Sequence, residues 1–167
     1  MYLRSGTYNR SGPLTLTSAD NGQTWMTHPG DPVNSAVLDC NFGCGGGFSG
    51  GVIRLEGSAG VTINGLRIRR FMNFGIAGFS ASNTTVQNSD IGENQETGFH
   101  AAAIYFYNVV PNTRVRNNYV HDVMGQGIQI HDSWSGGAMG TGNIDGLVIE
   151  NNVALRTALK TDDTGAI

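Results

Sequence analysis

Aliphatic positions return along this chain in short bursts with a long period. Four six-residue segments align without gaps: residues 63–68, 86–91, 115–120 and 149–154. Their first column is always β-branched (Ile63, Val86, Val115, Ile149), the type of residue that suits a pleated, half-buried surface. The third column reads Gly65, Asn88, Asn117 and Asn151, residues that tolerate a left-handed backbone. The fourth reads Leu66, Ser89, Asn118 and Asn152, ending in an asparagine pair able to stack and exchange side-chain hydrogen bonds. Each segment is expected to be a strand, a one-residue left-handed corner and a second strand.

A second set of bursts lies between these: residues 51–55, 75–76, 103–107, 127–131 and 166–167, each with a small residue and then Ile near a strand start. Ile53, Ile76, Ile104 and Ile128 are 23, 28 and 24 residues apart, and a step of 39 leads on to Ile167. The longer steps place loops at 94–98 and 133–143. Residues 76–79 fit the phase poorly and put small Ala77 in the outward row. Short strands returning every 23 or so residues describe a parallel β-helix whose coils stack about 4.8 Å apart. An antiparallel sandwich is the alternative for short strands, and the aligned corner and aliphatic columns argue against it.

Composition narrows the class. The 167 residues suit one domain. Charged residues make up 14%, against roughly a quarter in an ordinary soluble domain. The 25 glycines and abundant Asn disfavour long helices. With 10 basic and 13 acidic residues there is no polycationic patch, so nucleic acid is not an expected partner. No apolar run approaches the ~20 residues of a membrane span, and no charged segment followed by an apolar core opens the chain as a signal peptide would. Cys40 and Cys44 read as a short-range disulfide or as free thiols, and are too few for a zinc site.

On these columns the chain resembles the right-handed parallel β-helix superfamily of pectate-lyase-like proteins. Tyr2-Leu3-Arg4-Ser5-Gly6-Thr7-Tyr8 resembles its first strand and turn, Pro32 onward to Val37-Leu38-Asp39 its next strand, and residues 52–167 its repeating coils. The resemblance implies an all-β solenoid in a single domain over 1–167, irregular in 1–51 and regular in 52–167. It also implies a polysaccharide partner, an extracellular location and Ca²⁺ as the cofactor to consider. Members of the superfamily carry a cap before the first strand, whereas this chain starts inside it, and Gly165-Ala166-Ile167 open a strand that then stops. A solenoid truncated at both ends is therefore expected.

Candidate chemistry follows from alternation. Ile104, Phe106, Ile128 and Ile130 should point inward, and Tyr105, Tyr107, Gln129 and His131 outward. Tyr105 then neighbours Gln129 and Tyr107 neighbours His131, with Arg54 and Glu56 continuing the two rows two coils before the tyrosines. Tyrosine rings pack on sugar faces, while Arg and Gln hydrogen-bond hydroxyls or pair with uronate carboxylates. Arg54, Tyr105 and Gln129 are thus substrate-binding candidates, against the plain alternative of a solvent-facing polar strip. Gly127-Ile128-Gln129-Ile130-His131-Asp132 is similar to the mannuronan C5-epimerase motif Tyr-Gly-Phe-Asp-Pro-His followed by an acid. It matches at Gly127, Ile128, His131 and Asp132 and departs at Gln126, Gln129 and Ile130. A His beside a Tyr supplies a base and an acid for removing a proton α to a carboxylate, which makes His131, Tyr107 and Asp132 catalytic candidates.

Hydrolysis instead needs two carboxylates about 5–5.5 Å or 6.5–9.5 Å apart. Asp163, ahead of Gly165-Ala166-Ile167, resembles the acid of some β-helix glycosidases, although its column neighbours are Met124 and His100. An Asx turn is the alternative for Asp162-Asp163. Asp90, Glu93 and Glu96 lack the ligand spacing of a Ca²⁺ loop, and no other metal-ligand set is read. Arg67, Arg69 and Arg70 form a basic spot able to meet a polyuronate, Arg116 and Glu150 should pair across one coil, and the His121-Asp122 pair falls on a different sheet from His131-Asp132. His28 has no visible partner. The expected function is a carbohydrate-active β-helix, first a lyase or epimerase on a uronate-containing glycan, second a glycoside hydrolase, third a non-catalytic carbohydrate-binding or structural solenoid.

Overall fold

The computed structural model describes residues 1–95, 101–108, 110–131, 134–135, 138–139 and 143–159. Three parallel sheets account for nearly all of its strands. Sheet I stacks β1 (Tyr2–Leu3), β4 (Thr24–Thr27), β7 (Thr62–Asn64), β10 (Thr85–Gln87), β13 (Arg114–Arg116) and β18 (Val148–Glu150). Sheet II stacks β2 (Gly6–Asn9), β5 (Ala36–Asp39), β8 (Arg67–Arg69), β11 (Asp90–Gly92), β14 (Tyr119–His121) and β19 (Val153–Leu155). Sheet III stacks β3 (Leu14–Leu16), β6 (Ile53–Glu56), β9 (Phe74–Phe79), β12 (Ala102–Tyr107) and β15 (Gln126–His131). A small antiparallel hairpin, β16 (Trp134–Ser135) with β17 (Ala138–Met139), stands apart. The chain visits sheets I, II and III in turn, one strand each per coil, and forms a right-handed parallel β-helix. The segment 1–39 already follows this order: Tyr2–Leu3 and Gly6–Asn9 are strands of two different sheets, paired in parallel with β4 and β5.

The aliphatic columns build the core. Trp25, Ile63, Val86, Val115 and Ile149 are in register in sheet I. Leu38, Ile68, Ile91 and Val120 align in sheet II, and Ile53, Ile76, Ile104 and Ile128 in sheet III. Ile63, Val86, Val115, Ile68, Ile91, Ile53, Ile76 and Ile104 are fully buried, each worth roughly 1.5–3 kcal/mol relative to an exposed side chain. Residues 76–79 fit the phase poorly for a packing reason. Gly78 points inward beside Phe106, and a Cβ there would run into the Phe106 ring. The missing side chain leaves the volume that the ring fills.

Left-handed residues set the corners. Between sheets I and II they are Gly65, Asn88, Asn117 and Asn151, with φ of 62°, 53°, 55° and 54°. The next position inside the corner carries a polar ladder. Asn118 N and Nδ2 both donate to Asn152 Oδ1 at 3.0 Å, Ser89 N donates to Asn118 Oδ1 at 3.1 Å, and Leu66 N donates to Ser89 Oγ at 3.4 Å. Asn118 Nδ2 also reaches Val86 O at 3.0 Å, so the buried amide is satisfied on both sides. A second left-handed column precedes sheet I (Gly22, Gly60, Asn83, Asn112, Gly146), a third follows sheet II (Arg70, Glu93, Asp122, Arg156), and a fourth follows sheet III (Gly57, Ser80, Asn108). Cys40 and Cys44 are joined as a disulfide with Cα atoms 5.3 Å apart, both buried.

Candidate active site on the outer face of the third sheet

The fourth corner column fixes the outer face of sheet III. Ser80 N donates to Tyr107 O at 3.1 Å and Asn108 N donates to His131 O at 3.0 Å, while Asn108 Nδ2 reaches Ser80 Oγ at 3.0 Å. The last outward residue of β12 and of β15 is thereby held by the corner of the preceding coil. Sequence reading missed Ser80 and Asn108 in this positioning role; Asn108 carries the signal of Asn88 and Asn117, a left-handed-tolerant residue just beyond a strand, whereas Ser80 does not.

The register places Arg54, Ala77, Tyr105 and Gln129 in one outward row and Glu56, Phe79, Tyr107 and His131 in the next. Tyr107 and His131 lie partly exposed on adjacent coils, their rings stacked with centroids 5.7 Å apart and planes 29° apart. Tyr105 is placed otherwise than in an open trough. It is wholly buried, stacked on Phe74 at 4.5 Å, 6.3 Å from Tyr107 and within reach of Phe79 and Phe48. Phe74, Ala77, Ala102 and Tyr105 make a second apolar cluster outside the solenoid, against which Phe79 and Tyr107 pack. Burial, and the neighbouring Tyr107, push the Tyr105 phenol above its ordinary range and keep it protonated. It cannot serve as a base near neutral pH.

Arg54 is committed rather than open to a ligand. Its Nε and Nη2 donate to Glu56 Oε1, its Nη1 donates to the carbonyls of Phe48 and Gly50, and its guanidinium lies 4.5 Å above the Phe79 ring. Gln129 stands two residues before His131 on β15, partly exposed, and its Oε1 is buried with no hydrogen-bond donor among the described residues. The Gln126 Oε1 is in the same condition. Asp132 and Asp163 lie outside the described residues. Among those described, Glu56 is the sole carboxylate in the outward rows of sheet III, and it is tied to Arg54.

The basic spot expected at Arg67, Arg69 and Arg70 is neutralised. Arg69 and Arg70 both hold the wholly buried carboxylate of Asp39, at 2.9 Å and 2.6 Å. Burial raises the Asp39 pKa, but the Arg70 hydrogen bond, the Asn41 amide and the two guanidinium charges outweigh it and hold the group below its ordinary value. Arg67 pairs with Asp90 and Glu93. The His121-Asp122 pair joins this array: His121 Nε2 meets Asp90 and Nδ1 meets Asp122, each at 2.8 Å, and Arg156 closes on Asp122. Hydrogen bonds from Arg156 and then His121 hold the Asp122 carboxyl below its ordinary range. Asp90 and Glu93 are spent on Arg67 and His121, Glu96 lies outside the described residues, and no group of three or more His, Cys, Asp or Glu converges among those described. Arg116 aligns with Glu150 but donates to Gln87 Oε1 at 2.9 Å, in place of the expected ion pair. His28 Nδ1 accepts from Gly30 N and lies 3.1 Å from Arg4 Nη1.

Comparison with known proteins bears on this geometry. A family model described as right handed beta helix region matches residues 32–163. The chain belongs to the right-handed β-helix family. Among solved structures the family member is similar to the alginate lyase from Paenibacillus sp. str. FPU-7, with a TM-score of 0.68 and 16% sequence identity. That match covers 95% of this chain and 51% of the lyase, so this β-helix spans about half the length of the structure it resembles. At this identity the likeness establishes the fold alone. No curated protein matches the chain. No helix among the described residues is long and apolar enough to cross a membrane.

Proposed function

We propose that this β-helix acts on a uronate-containing polysaccharide by removing the proton at C5, α to the carboxylate, in a β-elimination or an epimerisation. The observation that carries the reading is the stacked Tyr107–His131 pair, partly exposed beside the buried Tyr105 and held on adjacent coils by Ser80 and Asn108. A base and an acid a few ångströms apart are what proton transfer at C5 requires. In elimination, His131 takes the C5 proton, the C5–H electrons form the C4=C5 double bond, the C4–O4 bond breaks, and the Tyr107 hydroxyl protonates the departing oxygen. Gln129, on the same strand as His131, is proposed to hydrogen-bond the uronate carboxylate through its amide NH₂, a task that Arg54 cannot take while bound to Glu56, Phe48 and Gly50. Asp132 and Asp163 carry no step in this scheme. The alginate lyase likeness is consistent with the substrate class, and the Cys40–Cys44 disulfide suits an oxidising, extracellular setting.

The enclosure of Tyr105 favours a second reading, a carbohydrate-binding or structural solenoid whose aromatic row is packing alone. Release of label from a polyuronate tritiated at C5 separates the two, and ultraviolet absorbance of the unsaturated product, followed during incubation with a panel of polyuronates, tells elimination from epimerisation. The lyase reading expects a rise that His131→Ala and Tyr107→Phe each slow by about 10²- to 10⁴-fold with circular dichroism unchanged. Equal rates in wild type and both variants would refute the assignment of these two residues.

A further inference from the structure

The segment after the disulfide is glycine-rich: Gly45, Gly46 and Gly47 precede Phe48, and Gly50 and Gly51 follow Ser49. Such a sequence has high conformational entropy, yet here it is clamped at four points. The Cys40–Cys44 disulfide anchors its base. Arg54 Nη1 binds the carbonyls of Phe48 and Gly50, Asn73 Nδ2 binds the Gly47 carbonyl, and Gly50 N closes a short turn onto Gly47 O at 3.0 Å. Gly50 itself has no room for a side chain, because a Cβ would strike the Gly45 carbonyl. The clamped segment presents one large side chain. Phe48 leans on Phe74 and on Tyr105, with centroids 6.5 Å and 6.3 Å away, while 50% of its surface stays exposed. Holding a large aromatic half in water costs solvation free energy, and a disulfide with an arginine clamp is more than cover for Tyr105 requires.

From Phe48 the aromatic row runs through Tyr105 to Tyr107 and His131, in centroid steps of 6.3, 6.3 and 5.7 Å along one face of the solenoid. We infer that Phe48 is a stacking platform for a sugar ring of a bound acidic polysaccharide, some sugar units along the chain from the Tyr107–His131 pair, and that Arg54 is a positioning residue that holds it there. This inference rests on the proposed function for its ligand class. A pyranose offers a face of axial C–H groups to a flat ring, and a ring immobilised beforehand loses little freedom when the sugar arrives.

The test is the affinity of intact protein for a polyuronate and for a uronate disaccharide, by isothermal titration calorimetry, alongside turnover read as release of label from a polyuronate tritiated at C5. Phe48→Ala should weaken polymer binding and raise KM roughly three- to tenfold, leave kcat within twofold, and leave the disaccharide affinity unchanged. Phe48→Leu keeps apolar cover over Tyr105 but lacks a flat face, and should lose as much. Phe48→Trp should restore the affinity, and Arg54→Lys, unable to hold two carbonyls and Glu56 at once, should lose it with kcat retained. Unchanged polymer affinity in Phe48→Leu would overturn the platform even where wild type turns substrate over, leaving the function intact. Phe48-dependent binding without turnover would overturn the catalytic reading and support the platform. No binding of any polyuronate by wild type would overturn the platform.

Discussion

Asp39 shows how this fold handles a buried charge. Its carboxylate is wholly enclosed at the end of β5, and two guanidiniums one coil along, Arg69 and Arg70, turn back onto it. Removing the carboxylate takes away several charge-assisted hydrogen bonds and leaves two partly exposed cations side by side. We therefore expect Asp39→Ala to lower unfolding stability by about 1–3 kcal/mol, read from urea denaturation. The pH dependence has a defined sign. Because the folded-state pKa of Asp39 is depressed, its contribution is complete above the ordinary carboxylate range and is lost as pH falls from about 4 through the folded value. Wild type should lose this increment on acidification and Asp39→Ala should not, so the gap between their stabilities narrows at low pH. A gap independent of pH would show that the Asp39 charge is not what stabilises the segment. Tyr107 and His131 obey the same logic of placement, each locked through its carbonyl by a left-handed residue of the preceding coil.

At the scale of the element, the unit is strand, corner, strand, and the corner decides the register. Asn118, next to the corner residue Asn117, links three coils, with Val86 on one side and Asn152 on the other. Asn118→Ala leaves the Ser89 N–H without its acceptor and takes one donor each from the Val86 carbonyl and from Asn152 Oδ1, which keeps the Asn118 backbone N–H, and is expected to cost about 1–3 kcal/mol in chemical denaturation; a cost below about 0.5 kcal/mol, on the order of an ordinary surface substitution, would mean that the ladder is ornamental. These corners and the aliphatic columns were legible in the sequence because both depend on residue type alone: β-branched residues recur where the sheets face inward, and Gly or Asn where φ is positive. The Tyr105–Gln129 and Tyr107–His131 registers followed from the same alternation. Burial of Tyr105 was not legible. It depends on Phe48 and Phe74, from a segment and a coil distant in sequence, which local alternation cannot place over the strand. The pairing of Arg67, Arg69 and Arg70 with Asp90, Glu93 and Asp39 was hidden likewise, since a charge run shows its own sign and not what faces it across a coil. The charged third corner column, Arg70, Glu93, Asp122 and Arg156, escaped reading because three of its four residues, Arg70, Glu93 and Arg156, are not usual left-handed residues.

The whole molecule is a ridge of stacked coils, so a row on its surface is extended by construction and suits an extended ligand. Each face is a column of equivalent positions. Sheet I and the first corner serve stability, sheet II carries a neutralised array of ion pairs from Asp39 to Arg156, and the outer face of sheet III carries the aromatic row that ends at Tyr107 and His131. The chemistry proposed for this pair is transfer of the C5 proton. It is tested most directly by release of label into solvent from a polyuronate tritiated at C5, a readout common to elimination and epimerisation. Wild type should release label with time, and His131→Ala should release it at least a hundredfold more slowly while retaining affinity for the polymer. Absence of release by wild type across the polyuronate panel, or equal release by His131→Ala, would contradict the account.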